Sequence, residues 1–460
     1  MKARKILALI LAVMMVLGAT TAFATEVKNT DLKVTVTSQY SDRTYKAYQI
    51  FKGDIESNDA SASNRKLSNI GWATGVNSDS IITALNGTGD GQLNLGITGT
   101  GASGAVTAQD VADKLSTITD TDTLIKIAKI FNTNKGSAVR TSGSGTAVTP
   151  ATDPATYTYE INGLAAGYYI IVDETNVADK DESVSAILLN LVGDTAVTEK
   201  AVKPSVDKEV QDEAADKDKN STDTTNGYGD TADHAINETF QFKLEATLPA
   251  DADYNAYPTY QVKFVDVPST GITFEEIVSV IVKGKTSADA DANITVAAYD
   301  ASEAPDGYVL KNNLSNNNGN GTATLEINIA DLKKTAPTVD LSKGATVTVI
   351  YKAHLNESAN VTPVGGTTTT NQNKVHLEYS NNPNATGTGK TEDKETYVFT
   401  FEVDNTKWAG PGTKVENPAS ITITGTDPVE TLESTSLTSW ADNTRMNRAV
   451  RNPLLHKGFS

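Results

Sequence analysis

The chain of 460 residues contains no cysteine, which excludes disulfides, thiol nucleophiles and cysteine-ligated metal centres. Histidine is scarce as well, and its four occurrences do not follow the spacing of a metal site: His234, His354, His376 and His456. We therefore predict no metal and no cofactor. A protein of this composition must draw its stability from a source other than disulfides.

The sequence also lacks the short motifs of common enzymes. It contains no G-x-S-x-G, no phosphate-binding glycine loop and no H-E-x-x-H, and no two carboxylates stand out as a glycosidase pair. Asp289, Asp291 and Asn293 resemble the start of a calcium loop. Ile294 occupies the position that needs glycine, and Asp300 stands in place of the bidentate glutamate. We predict a solvated loop there, and a secreted hydrolase is the least favoured function.

Positive charge is in the minority. The chain has 39 Lys and Arg against 57 Asp and Glu, and its formal net charge is −18. An acidic chain is repelled by nucleic acid and by anionic lipid surfaces. We therefore predict that neither is a partner.

The first 24 residues have the pattern of a secretory signal peptide. Lys2, Arg4 and Lys5 precede the apolar run ILALILAVMMVLGA, and small residues flank Phe23 at the expected cleavage site after Ala24. The run is short for a bilayer span. The pattern predicts an exported chain whose mature form has no integral membrane span.

A proline divides the rest of the chain into two parts. Residues 25–199 mix helix and strand patterns, whereas residues 200–405 alternate apolar and polar side chains almost throughout. Pro204 marks the joint, because proline fixes φ and biases the preceding residue towards extended geometry. Regular strands separated by Gly, Pro and Asn turns indicate β-sandwiches.

Helices are predicted only in the first part. SDSIITAL predicts a short helix capped by Ser78, and Thr107 with Asp110 forms a capping box before a second helix. TDTLIKIAKIF continues with an apolar face at helical spacing. The predicted fold class is therefore mainly β, as tandem sandwiches with a few short helices in the N-terminal domain.

Three polar residues fall on the apolar faces of three different predicted strands: Lys208, Asp266 and Asn373. Lys208, for example, shares its face with Val206 and Val210. An unpaired buried ammonium is costly, so the lysine needs a partner or must lose its charge. The pattern predicts a buried cluster of an amine, a carboxyl and a carboxamide. The alternative is an ordinary salt bridge with an added hydrogen bond.

Several stretches carry a resemblance to a known family: YKAYQIF with IGWATGVN, KPSVDKEV, FVDVPSTGITF and NQNKVHLEYSNNPN. On these residues the chain resembles the major backbone pilins of Gram-positive bacteria, which sortases assemble and which contain a fimbrial isopeptide-forming domain. The resemblance implies tandem immunoglobulin-like sandwiches similar to those of collagen-binding proteins A and B. It also implies an N-terminal pilin domain over residues 25–199 and a second, isopeptide-forming domain over residues 200–405.

The resemblance further implies a spontaneous isopeptide bond between Lys208 and Asn373, with Asp266 as its catalyst. In a dry core a neutral, nucleophilic amine and a protonated carboxyl are favoured. The protonated Asp266 would polarise the carbonyl of Asn373 and transfer protons as ammonia leaves. The chain would then be no enzyme beyond this one reaction within itself.

Other family features concern assembly. The V-x-x-K pattern places the lysine that a pilin-class sortase joins to the next subunit at Lys200, although Thr198 and Glu199 replace the family's frequent Tyr-Pro. Lys203 is the competing choice. The expected partners are other pilin subunits and the sortase, and the expected location is the cell surface. A monomeric surface adhesin that binds host matrix or glycans is the alternative function.

Two departures from the family pattern are expected to matter. The first strand, LKVTVTSQY, has threonine and serine where related bonded domains have a lysine, so we predict no second bond within residues 26–199. Residues 406–460 resemble a truncated start of a third domain followed by an aberrant tail without an LPxTG motif. We interpret this tail as the product of a truncated or frame-shifted gene.

Overall fold

The computed structural model of the chain describes residues 30–56, 65–89, 91–149, 155–184, 186–199, 203–212, 227–314, 323–363, 366–383 and 387–401, and four short strands between residues 407 and 433. The predicted signal peptide, Lys200 and residues 434–460 lie outside the described residues. Strands predominate in the described part, as the alternating sequence predicts, and the chain is mainly β.

Among the described residues, the first sandwich has nine strands: β1 (Leu32–Ser38), β2 (Tyr45–Glu56), β3 (Lys66–Trp72), β4 (Arg140–Thr141), β5 (Thr146–Ala147), β6 (Tyr157–Leu164), β7 (Gly167–Asp173), β8 (Ala186–Leu191) and β9 (Thr195–Thr198). One sheet has the order β5-β6-β1-β9, and the other has the order β3-β2-β7-β8 with β4 beside β2. β1 and β9 run parallel, so the first and last strands are neighbours. Apolar side chains from both sheets form the core between them.

Three α-helices cover the outer face of the second of these sheets: α1 (Ser78–Asn86), α2 (Ala108–Ser116) and α3 (Thr121–Asn134). The capping box of Thr107 and Asp110 is present at the start of α2, as predicted. The predicted cap of α1 was wrong by one residue. Asn77 is the N-cap, because its side chain accepts the backbone N–H of Ser80, and Ser78 is the first helical residue.

In the part of the chain that the structure describes, the second sandwich has thirteen strands: β10 (Ser205–Gln211), β11 (Tyr228–Gly229), β12 (Thr231–Asp233), β13 (Thr239–Leu248), β14 (Val262–Pro268), β15 (Ile272–Lys285), β16 (Asp291–Thr295), β17 (Val309–Asn312), β18 (Leu325–Ile329), β19 (Ala345–Leu355), β20 (Asn371–Ser380), β21 (Thr388–Lys390) and β22 (Lys394–Phe399). One sheet has the order β11-β10-β13-β19-β15-β16. The facing sheet has the order β12-β22-β20-β14-β18-β17, with β21 beside β20. A short helix, α4 (Leu332–Thr335), and short 3-10 helices at Ala252–Ala256 and Leu341–Lys343 complete it.

Strand β15 is the longest strand of this sandwich, and its sequence does not alternate cleanly. Its register against β19 shifts between Phe274 and Glu276 and again between Ile277 and Ser279. Each irregularity adds a residue without a partner and reverses the face on which the following side chains lie. For this reason the apolar pattern of GITFEEIVSVIVKGK is interrupted although the strand is continuous.

Residues 177–184 of the first sandwich, which we call the interdomain segment, contact the second sandwich. The side chain of Asn381, which follows β20, donates to the carbonyl oxygens of Val177 at 2.6 Å and Glu182 at 2.9 Å. The backbone N–H of Lys390 in turn donates to the carbonyl of Lys180 at 3.0 Å. The far end of β20 is therefore attached to the first sandwich by hydrogen bonds.

Four further strands follow: β23 (Lys407–Gly410) pairs with β24 (Thr413–Val415), and β25 (Ser420–Ile423) pairs with β26 (Glu430–Glu433). They belong to the stretch in which the sequence predicts the start of a third domain. Among the described residues, no helix is long and apolar enough to cross a membrane.

Candidate functional site

Strand β10 carries Lys208 into the core of the second sandwich. β10 pairs antiparallel with β13, where Lys208 lies opposite Leu244. Val206, Lys208 and Val210 are all buried, as the alternation of the sequence predicts, and Lys208 is only 1% exposed. Its ammonium group is therefore out of contact with solvent.

The facing sheet supplies the other two predicted residues. β14 and β20 are antiparallel neighbours, with Asp266 opposite Val375 and Pro268 opposite Asn373. Asp266 and Asn373 are both fully buried, at 0% exposure. The cluster therefore spans the core from one sheet to the other.

A continuous chain of hydrogen bonds joins these residues. Nζ of Lys208 donates to Oδ1 of Asp266. Oδ2 of Asp266 accepts from the hydroxyl of Tyr351 at 2.5 Å, and that hydroxyl accepts from Nδ2 of Asn373 at 2.7 Å. Tyr351 lies on β19, in the same sheet as Lys208. Lys208 is thus connected to Asn373 through Asp266 and Tyr351.

Burial decides the electrostatics of the site. Loss of water lowers the pKa of the Lys208 amine, and the neighbouring Asp266 opposes this effect. Burial together with the Asp266 carboxylate raises the pKa of the Tyr351 phenol. The amine also lies 4.8 Å from the ring centroid of Phe242 and 5.7 Å from that of Tyr351. This environment favours the neutral, nucleophilic form of the amine more than water does.

Two asparagines on the inner face of β20 show how unusual Asn373 is. Asn371 is also fully buried, but its side chain is satisfied: Oδ1 accepts from the backbone of Asn360, and Nδ2 donates to carbonyl oxygens of Asn360 and Val398. Oδ1 of Asn373 is buried with no hydrogen-bond partner. A buried carbonyl without a donor is costly in a finished structural contact. No hydrogen-bond donor among the described residues therefore contacts the carbonyl oxygen of Asn373, and its carboxamide remains open to polarisation.

Tyr351 was not among the residues that the sequence singled out for the site. In ATVTVIYKAHL, Tyr351 shares the apolar face of the strand with Val347 and Val349, so the alternation predicts only a core position for it. The signal that could have identified it is its hydroxyl, because a buried tyrosine usually has a hydrogen-bond partner. The partner, however, is on another strand in the facing sheet.

The predicted linkage lysine, Lys200, lies outside the described residues. Its competitor, Lys203, is described, and its Nζ forms an ion pair with Asp181 of the interdomain segment. The same carboxylate accepts from the hydroxyl of Tyr379 at 3.1 Å. Lys203 is therefore engaged in the contact between the two sandwiches.

The first sandwich has a buried polar cluster of a different composition. Oγ of Ser38, at the end of β1, donates to Oε2 of Glu199 at 2.5 Å, and the hydroxyl of Tyr45 donates to the same oxygen at 2.9 Å. The guanidinium of Arg43 lies within 3.6 Å of Glu199 and 3.3 Å of Asp173. Burial raises the pKa of Glu199 to about 7. This cluster contains a serine and an arginine. That the first domain forms no isopeptide bond stays a prediction.

The acidic residues of the weak calcium pattern have other partners. Asp291 pairs with Lys285 at 2.7 Å, and Asp289 pairs with Lys343 at 3.2 Å. Both are largely exposed. Within the described part of the chain, no group of three or more histidine or acidic residues is arranged to hold a metal ion.

The solved structures that resemble the chain include backbone and major pilins. The T6 backbone pilin of serotype M6 Streptococcus pyogenes is 17% identical, with 86% of this chain and 69% of that chain covered and a TM-score of 0.44. The major pilin SpaD of Corynebacterium diphtheriae is 12% identical, with 87% and 74% covered and a TM-score of 0.40. The major pilin subunit BcpA of Bacillus cereus is 12% identical, with 58% and 63% covered and a TM-score of 0.30.

No protein-family model and no curated protein sequence matches the chain. The TM-scores of these pilins are below 0.5. What the protein does must therefore be argued from its own residues.

Proposed function

We propose that this protein is a structural shaft subunit of a covalently polymerised cell-surface pilus, stabilised by an isopeptide bond between Lys208 and Asn373. The observation that carries the proposal is the buried hydrogen-bond chain from Lys208 through Asp266 and Tyr351 to Asn373. It joins an amine and a carboxamide on facing sheets in an environment without water.

The reaction needs no external reagent. Nζ of Lys208 attacks Cγ of Asn373, an amide bond forms between them, the bond from Cγ to Nδ2 breaks, and ammonia leaves. One proton must pass from Nζ to the departing nitrogen. Asp266 accepts from Nζ and so receives that proton. The carboxyl is regenerated at the end, as a catalyst must be.

The product is favoured over the starting residues for a physical reason. A buried ion pair has to offset the desolvation of two charges, which costs several kcal/mol per ion. The isopeptide is neutral and has only one N–H and one carbonyl to satisfy. It also closes a loop of about 165 residues, which on the chain-entropy model stabilises the fold by about 5 kcal/mol. This would compensate for the absence of cysteine.

The position of the bond suits a subunit under tension. β10 is the first strand of the second sandwich and follows directly after the joint, whereas β20 is attached at its far end to the interdomain segment. A covalent link between these two strands would prevent the sheets from separating when the chain is pulled from the joint. Without the covalent link, only side-chain packing and hydrogen bonds would resist the pulling force.

The assembly role rests on a linkage lysine at the joint, which we assign to Lys200. Support comes from Lys203, the competing lysine, whose amine is held by Asp181. A sortase acceptor must present its amine to the enzyme, and an engaged amine does so less readily. Pilin subunits and a pilin-class sortase are then the partners, and the exported protein acts at the cell surface.

The bond is tested by the intact mass of the mature chain, residues 25–460. We expect the wild type to be lighter than its calculated mass by one ammonia, and Lys208→Ala to match its calculated mass. Lys243→Ala is the matched control, because Lys243 lies on the neighbouring strand and pairs with Glu209, which is not part of the cluster. This control should still lose one ammonia. A wild type at its full calculated mass would remove the bond from the proposal.

The shaft role is tested separately by co-expression with a pilin-class sortase and a donor subunit that carries a complete sorting motif. We expect a product in which this chain is joined to the donor through Lys200. A chain that never forms such a product while losing ammonia normally would be a cross-linked surface protein, and the adhesin function would then be favoured.

A further inference from the structure

Tyr351 occupies a position that the proposed reaction does not yet use. Its hydroxyl contacts both Oδ2 of Asp266 and Nδ2 of Asn373, and Nδ2 is the atom that must leave as ammonia. We propose that Tyr351 is a second catalytic residue of isopeptide formation, which passes a proton from Asp266 to the departing nitrogen of Asn373. This inference rests on the proposed function.

The hydrogen bonds define the route of the relay, and the proton moves along it opposite to the donor direction of the ion-paired state, in which Nδ2 of Asn373 donates to Tyr351 and Tyr351 donates to Asp266. Oδ1 of Asp266 is bonded to Nζ of Lys208, and Oδ2 is bonded to Tyr351. One carboxyl oxygen thus faces the nucleophile and the other faces away from it. Among the described residues, the hydrogen-bonded route from Asp266 to Nδ2 of Asn373 passes through the tyrosine hydroxyl.

The proton count closes with this route. The reaction starts from the neutral pair, in which Lys208 is an amine and Asp266 carries its proton on Oδ2, so that this oxygen donates to the hydroxyl of Tyr351 instead of accepting from it. After Nζ has attacked Cγ, Tyr351 donates its hydroxyl proton to Nδ2 and regains one from Oδ2 of Asp266. Asp266 then takes a proton from Nζ at Oδ1. The bond from Cγ to Nδ2 breaks, ammonia leaves, and both Tyr351 and Asp266 end in the state in which they began.

The surroundings of Tyr351 suit a fixed donor. Its ring centroid lies 5.3 Å from that of Phe242 and 5.7 Å from that of Phe274, so the ring is held between aromatic neighbours. Burial and the nearby carboxylate raise the pKa of the phenol, so it stays protonated until it donates to Nδ2 of Asn373. A phenylalanine would preserve the ring and remove only the relay.

The test follows the mass of the full mature chain over time. The chain is made by cell-free synthesis, translation is stopped, and the fraction that has lost one ammonia is measured at intervals beside protease resistance as a measure of folding. We expect Tyr351→Phe to fold at the wild-type rate and to cross-link about 100-fold more slowly. Tyr260→Phe is the matched control, because it removes another fully buried hydroxyl of the same core, and it should cross-link like the wild type.

The outcomes separate the two proposals. If the wild type loses ammonia and Tyr351→Phe does so at the same rate, the relay is wrong and the bond stands. If the wild type never loses ammonia, the bond itself is wrong. Should Tyr351→Phe fail to fold, 3-fluorotyrosine at position 351 keeps the hydroxyl and makes it a stronger acid. We then expect faster cross-linking, and an equal or slower rate would contradict the relay.

Discussion

Lys208 and Asn373 lie on facing sheets of the second sandwich and are connected across its core by the side chains of Asp266 and Tyr351. The connection runs between the first strand of the sandwich and a strand near its end. Side chains so far apart in sequence meet here only because two sheets pack face to face. A bond between them would make that packing covalent, and the following predictions depend on this relationship.

Removing the acceptor should unlink the sheets without leaving a charge unpaired. Asn373→Ala keeps the pair of Lys208 and Asp266 and abolishes ammonia loss. We expect the free energy of unfolding to fall by about 5 kcal/mol, since the loop of about 165 residues is no longer closed. Chemical denaturation of the mature chain measures this change.

Asn371→Ala is the control for this variant, because Asn371 lies two residues away on the same inner face of β20. It breaks local hydrogen bonds worth about 1–3 kcal/mol and leaves the cross-link intact. Equal destabilisation by the two substitutions would argue that no covalent bond contributes.

Removing the catalyst should be worse than removing both members of the buried pair. Asp266→Asn prevents the reaction and leaves the charge of Lys208 buried without a partner. Such a charge typically lowers the free energy of unfolding by about 3–5 kcal/mol. The double variant Lys208→Met with Asp266→Asn removes that charge and is expected to unfold at a higher temperature than the single variant. Thermal unfolding followed by circular dichroism compares them, and a double variant no more stable than Asp266→Asn would contradict a charged lysine there.

Freeing Lys203 should broaden the choice of linkage lysine. Asp181→Asn removes the carboxylate that pairs with Lys203, so we expect sortase products joined through Lys203 in addition to those joined through Lys200. Peptide mapping of the products identifies the lysine. Asp179→Asn, on the same interdomain segment, is the control and should leave the linkage at Lys200. A wild-type product joined at Lys203 would reverse our assignment.

The first sandwich should lose stability as pH rises from about 4.5 to 7. The folded-state pKa of Glu199 is raised from its ordinary value of 4.5 to about 7, so the folded chain holds a proton in this interval that the unfolded chain has released. The native state therefore becomes less stable with rising pH, by about 3 kcal/mol across the interval. Thermal unfolding between these pH values measures the trend.

Glu199→Gln should flatten this pH dependence, because the amide cannot titrate. Glu160→Gln is the control, since Glu160 pairs with Lys33 on the exposed surface of the same sandwich and should leave the trend unchanged. A wild type whose stability increases over the same interval would show that another group dominates.

The sequence determined the faces on which the predicted site residues lie. Alternation in β10, β14 and β20 is a local property with a period of two residues, and it puts Lys208, Asp266 and Asn373 inward whatever the fold around them. The start of α2 was equally local, because its capping box needs only four consecutive residues. A mainly β fold with a few short helices followed from the same patterns.

Only the tertiary structure decided which of these inward side chains meet, because that depends on the register of strands far apart in the chain. It brought Tyr351 between Asp266 and Asn373, and it held Lys203 on Asp181. In β15 the irregular pairing breaks the alternation of apolar and polar residues, since each irregularity reverses the inward face. The local pattern therefore does not indicate this long strand. The local sequence pattern predicts on which face of a strand a residue lies, whereas the packing of the two sheets determines which residues it contacts.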